Sequence, residues 1–181
     1  MSREQLNRLL NAVLFQSCWF LAILSDWYLA LCAFALLLVH FVRTNASTHN
    51  SLKLLYIACI GILIDSLLMH LGVYQFPNPE LRTNDFIIPL WLIIMWCAFT
   101  LTLLSSLQWF LAKPYFFICL CCISGPASYL AGRHFGALHF ADASLIFIIL
   151  EWFVVGVLCT AIFPSSPKED LPAQGGKYAS Y

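Results

Sequence analysis

Two carboxylates stand where carboxylates are costly. Asp65 lies in GILIDSLLMHLG (61–72) and Glu151 in LIFIILEWFVVGVL (145–158), runs otherwise almost wholly apolar or small. An ionisable side chain deep in hydrocarbon costs a few kcal/mol, so mere tolerance explains it poorly. General acid–base chemistry needs a carboxyl held near its working range, and a partly desolvated layer supplies that. At least one of the pair is expected to rest neutral. A third segment, ISGPASYLAGRHFGA (123–137), adds hydroxyls beside a proline. Pro126 has no N–H, so the Cys122 carbonyl loses its helical donor and a kink is expected. Ser124 or Ser128 could bond that carbonyl. Asp65, Glu151 and Tyr129 are the candidate catalytic residues, and Gln16, Trp96, Ser124 and Ser128 the candidate ligand-binding ones. The competing readings are structural. A neutral carboxyl can pin two helices by a hydrogen bond, and Gly125, Ser128 and Gly132 can serve close helix packing.

Other chemistries find no support. The sequence shows no nucleophile elbow, phosphate-cradling glycine loop or HExxH helix, and it names no cofactor. All eight cysteines lie in apolar runs, where free cysteine behaves as a small hydrophobe. The CLCC cluster at 119–122 lacks further ligands at metal spacing, and no metal site is expected. His70 is five positions from Asp65 and so on a different helical face. His134 and His139 match no zinc spacing.

The elements that must position these residues follow from composition. Of 181 residues, 61% are hydrophobic and 10% charged, with a mean hydropathy of +0.83. Soluble domains carry about 25% charged residues, so the bilayer is the natural solvent. The formal net charge is zero, which leaves no nucleic-acid footprint. Six continuous apolar stretches, about 8–24, 27–43, 53–74, 87–109, 114–132 and 143–163, approach the 17–25 residues a helix needs to cross. Continuous rather than alternating runs exclude barrel strands. The fold class expected is all-α, a polytopic bundle of about six transmembrane helices forming one domain over 1–163. The N-terminal run carries Asn11 and Gln16 and no cleavage site before Asp26, and reads as a retained first span. The polar, Pro- and Gly-rich stretch 164–181 reads as a disordered cytoplasmic tail.

Seven of the nine Lys and Arg residues fall on one side of a six-span topology. The positive-inside rule then puts both termini in the cytoplasm. Trp27, Trp91, Trp109 and Tyr115 fall near span ends as interfacial anchors, while Trp96 lies within its span. Asp65 and Glu151 lie about nine and eight residues from the outer ends of their spans, or ~12–13 Å at 1.5 Å per residue. Gln16, Trp96 and Ser124 share that depth, so five helices place polar groups in one slab. If they face inward, they converge on one cavity. Six spans also divide into three plus three, an arrangement inverted-repeat transporters use, but the halves show no convincing self-similarity.

NAVLFQSCWF (11–20), GILIDSLLMHLGVYQF (61–76), PLWLIIMWCAFTLTLLSSLQWF (89–110) and GPASYLAGRHFGA (125–137) together resemble an uncharacterised bacterial inner-membrane family, a domain of unknown function. The resemblance covers Asn11 to about Trp152 and implies a multi-pass protein of the bacterial inner (plasma) membrane, with no assigned activity. It also implies a genomic setting beside fatty-acid-modifying enzymes similar to cyclopropane fatty-acid synthases. Three functions stay open. The first is an enzyme, or a partner of membrane enzymes, acting on a lipid or apolar small molecule. The second is a small proton-coupled carrier, and the third a structural scaffold for membrane enzymes.

Overall fold

In lipid a continuous apolar run must close its own backbone hydrogen bonds, and it does so as a helix. A computed structural model describes residues 1–24, 27–45, 48–77 and 86–164. Within them are α1 (Arg3–Leu24), α2 (Trp27–Thr44), α3 (Thr48–His70), α4 (Leu90–Leu103), α5 (Gln108–Leu111), α6 (Pro114–His134) and α7 (Leu145–Ile162). Among the described residues there is no strand, only a single antiparallel bridge between Gln75 and His139. The tail expected over 164–181 lies outside the described residues beyond Pro164, as do Asp26, Glu80, Arg82 and Asp85.

Five helices, α1, α2, α3, α6 and α7, are long and apolar enough to cross a membrane. They present apolar side chains outward, with Leu36, Leu63 and Ile123 all exposed, while Asn11, Asp65 and Glu151 are buried. That inside-out distribution fits a multi-pass membrane protein. Trp27, Trp109 and Tyr115 are exposed. Trp91 is not: it is buried, edge-on to Phe76 at 5.9 Å.

The segment expected to form one span over 87–109 breaks after Leu103. Its 14 helical residues cover about 21 Å, short of the ~30 Å hydrocarbon core. Local competition accounts for the break. Thr102 Oγ1 donates to the Phe99 carbonyl at 2.6 Å, and the N–H groups of Ser105 and Leu107 both turn back to the Thr102 carbonyl. Hydroxyl side chains offer the backbone such alternatives to a helix. Asn11 of α1, fully buried, accepts from Ser106 Oγ at 2.7 Å. Eleven α4 residues are buried, as expected of a helix apolar all round. It is the central post, packed on α1, α2 and α3.

α1 and α2 form an antiparallel hairpin: His40 Nε2 lies 3.1 Å from the Asn7 carbonyl oxygen, and Cys18 Sγ 3.5 Å from that of Ala30. The next two hairpins, α3–α4 and α6–α7, repeat one plan. α3 ends at Gly72 (φ +73°) and α6 at Gly136 (φ +76°). Each glycine N–H bonds three residues back and the next N–H five back. This is the Schellman end, which needs a left-handed residue. Three residues later Gln75 and His139 exchange N–H···O bonds of 2.8 Å. Gly61 and Gly125 each seat an indole, Trp96 and Trp152 respectively, and those rings stack at 5.4 Å and 15°. The paired positions 61/125, 65/129, 72/136 and 75/139 are each 64 residues apart. The repeat therefore consists of two-helix units whose loops meet on one face, running in the same sense. It differs from the inverted three-plus-three division considered from sequence. One seam is unlike its counterpart: α3 packs on α7, but α4 and α6 make no comparable contact among the described residues.

Candidate functional site

Asp65 is fully buried on α3 and is the hub of the interior. Trp96 Nε1 of α4 donates to its Oδ2 at 2.5 Å. The Tyr129 hydroxyl of α6 lies 2.6 and 2.8 Å from its two oxygens. The Tyr74 hydroxyl also reaches Oδ1 and lies 3.0 Å from the Asp65 backbone carbonyl oxygen. Tyr74 is there because Gly72 reverses the chain and folds the next residues back over the last turns of α3.

Glu151 of α7 is buried too, on the helix that packs against α3, and its carboxyl group lies within electrostatic reach of Asp65. No described donor reaches either Glu151 oxygen. Two ionised carboxylates offer only acceptors, so a hydrogen bond between them requires a proton. Asp65 already receives three donors, so a proton held on Glu151 would make it a fourth. The two described ion pairs lie elsewhere, Arg8 with Glu4 and Arg133 with Asp142.

Gln16, Trp96, Ser124, Ser128, Tyr129 and Trp152 line a cavity of about 450 Å³ between α1, α4 and α6. It lies along the open α4–α6 seam. Among the described residues no charged side chain lines it. Gln16 and Ser124 are exposed, Ser128 half-buried, and Tyr129 and Trp96 buried. The first two therefore stand at the mouth and the last two in the inner wall. α6 packs on α5 and α7 but makes no comparable contact with α1 among the described residues, so the mouth is lateral.

The sequence-derived candidates thus form two connected groups. Trp96 and Tyr129 both hydrogen-bond Asp65, with Glu151 buried nearby on α7, and Gln16, Ser124 and Ser128 share the cavity with Trp96 and Tyr129. Asp65 and Glu151 lie behind the cavity wall, outside its lining. The serines do not take the Cys122 carbonyl: Ser124 Oγ donates to Leu120 O and Ser128 Oγ to Gly125 O, both at 2.7 Å. α6 continues through Pro126. Gly125 serves the Trp152 ring and Gly132 the Leu138 side chain. His70 faces the Phe86 carbonyl at 3.1 Å instead of the carboxyls. Sequence reasoning missed Tyr74, Trp152 and Asn11. A signal for Tyr74 existed, since a helix-ending glycine commonly brings the residues after it back onto the helix. Among the described residues no three His, Cys, Asp or Glu side chains gather as a metal site.

Comparison with known families shows that a family described as Protein of unknown function (DUF2878) matches residues 8–160. The chain belongs to that family. No curated protein and no solved structure matches it.

Proposed function

We propose that this family member draws an apolar, lipid-derived ligand from the bilayer through the lateral mouth between α1 and α6. It then acts on that ligand, or presents it to a partner enzyme, at the proton-holding pair Asp65–Glu151. One observation carries the reading: the inner wall of the cavity is made by the residues that hydrogen-bond Asp65. Of these, an indole N–H only donates, whereas a phenol can donate and accept. Tyr129 is therefore the group able to pass a proton between the pair and a ligand, with Asp65 and Glu151 as its reservoir. Gln16, Ser124 and Ser128 would contact the more polar end of the ligand near the mouth. A cavity of this size matches those that hold small-molecule ligands.

Two buried carboxyl groups on adjoining helices favour a second reading, a proton-coupled carrier. The charge bias and the family resemblance support a bacterial inner membrane with both termini cytoplasmic.

Comparative lipid mass spectrometry of a deletion strain tests the first reading. The deletion should shift membrane lipid composition. Wild type should restore it, and Asp65→Asn and Glu151→Gln should fail to while still inserting in the membrane. An unchanged lipid profile, with pH-driven uptake by proteoliposomes, would move the assignment to a carrier.

A further inference from the structure

Hydroxyls on the spans bond their own helices. Ser17 Oγ donates to the Val13 carbonyl and Thr160 Oγ1 to that of Val157, both at 2.9 Å. Ser124 and Ser128, on the cavity lining, do the same with Leu120 and Gly125. Gln16 differs. Its carboxamide stands exposed at the cavity mouth, well inside α1, and makes no hydrogen bond among the described residues. Val13 and Phe20, about one turn to either side on the same face, are exposed apolar side chains. That surrounding is hydrocarbon, where an amide without a partner is costly. The cavity beside it is open space from which a partner can reach it.

We propose that the ligand is a single-chain lipid with an uncharged hydroxyl head, and that Gln16 selects it. This deepens the proposed function and rests on the cavity being a lipid site. A serine hydroxyl has one donor and two lone pairs. Ser124 and Ser128 have spent their donors on α6, so they meet a ligand only as acceptors. Gln16 offers one acceptor oxygen and two N–H donors. A hydroxyl answers both kinds of group, whereas an ester or ether oxygen answers only the N–H. A carboxylate head would bring an anion where no Lys, Arg or His lines the cavity among the described residues, and an unpaired charge there is costly. An ammonium head would have to enter through hydrocarbon as an ion. Size points to one chain. A methylene takes about the ~30 Å³ that a water molecule occupies in the liquid, so about 450 Å³ holds roughly fifteen of them. With the head at Gln16, the chain runs inward along the aromatic wall toward Tyr129.

The test reconstitutes the full-length protein in phosphatidylcholine vesicles. These carry a diazirine-labelled long-chain alcohol or its methyl ether, which keeps the oxygen and loses the O–H. After photolysis the labelled peptides are mapped, and cavity labelling is divided by that of α2, which contributes nothing to the cavity lining. In wild type the alcohol should label α1 and α6 cavity peptides roughly fivefold more than the ether, the worth of one hydrogen bond. Gln16→Met, similar in size and without the amide, should bring the two probes level while both still label. Ser17→Ala, exposed on the same helix but outside the cavity lining, should keep the preference. Equal labelling of wild type by both probes, or more by the ether, overturns the proposal whatever the variants do. So does an alcohol preference that survives Gln16→Met. Labelling of cavity peptides by neither probe above the α2 level would instead remove the lipid-site reading beneath it.

Discussion

At Asp65 three neutral donors converge on two oxygens, so the side chain matters as an acceptor before it matters as a charge. Asp65→Asn replaces one of those oxygens with a donor and leaves Trp96 or a tyrosine facing N–H. Each buried donor so stranded costs about 1–3 kcal/mol. Denaturant unfolding in mild detergent, followed by circular dichroism, should show that loss, and an unchanged midpoint would contradict the hub. Glu151→Gln should behave oppositely. Its amide donates to Asp65 without needing a proton, so stability should stay within about 1 kcal/mol of wild type, the scale of one hydrogen bond. Wild type should show a protonated-carboxyl stretch in the infrared at neutral pH, and this variant should lack it. Persistence of that band in Glu151→Gln would place the proton elsewhere. The cost argument made this pair legible in sequence, because carboxylates in hydrocarbon demand partners. Their donors were only half legible. Tyr129 and Trp96 lie at matching depth on helices, whereas Tyr74 arrives through a backbone reversal that no periodicity encodes.

Elements meet through glycines of two kinds here, and substitution separates them. Gly72 has a positive φ and open space around it, so Gly72→Ala should cost only backbone strain, about 1–2 kcal/mol. Gly125 lies within a regular helix, and a β-carbon there would strike the Trp152 ring. Gly125→Ala should therefore cost about 1–3 kcal/mol in overpacking and also disturb the stacked indoles. Near-UV circular dichroism reads the difference: the tryptophan signal should change in Gly125→Ala and persist in Gly72→Ala. Helix number and rough position were legible because lipid forces apolar runs into helices. The break after Leu103 was not. It depends on hydroxyls competing for carbonyls and on Asn11 reaching across from α1, a tertiary contact. The same-sense repeat was hidden because it survives in contacts more than in letters: position 65 is Asp where 129 is Tyr, and 95 is Met where 151 is Glu.

Across the whole molecule, the α1–α2 hairpin and the α3–α4, α6–α7 pair enclose one lateral space. Ala127 is exposed at its rim, so Ala127→Trp should occlude the mouth without touching the interior. Photolabelling of cavity peptides by a diazirine-labelled phospholipid in reconstituted vesicles should fall toward background, while the unfolding midpoint stays put. Retained labelling would mean that ligands arrive by another route. The Gln75–His139 bridge constrains how that space can change. Its reciprocal bonds clasp the two repeat units at the face where α3 and α6 end. Any widening to admit a guest must then swing from that clasp, as a pair of tongs does, with the largest travel at the far ends of α4 and α6.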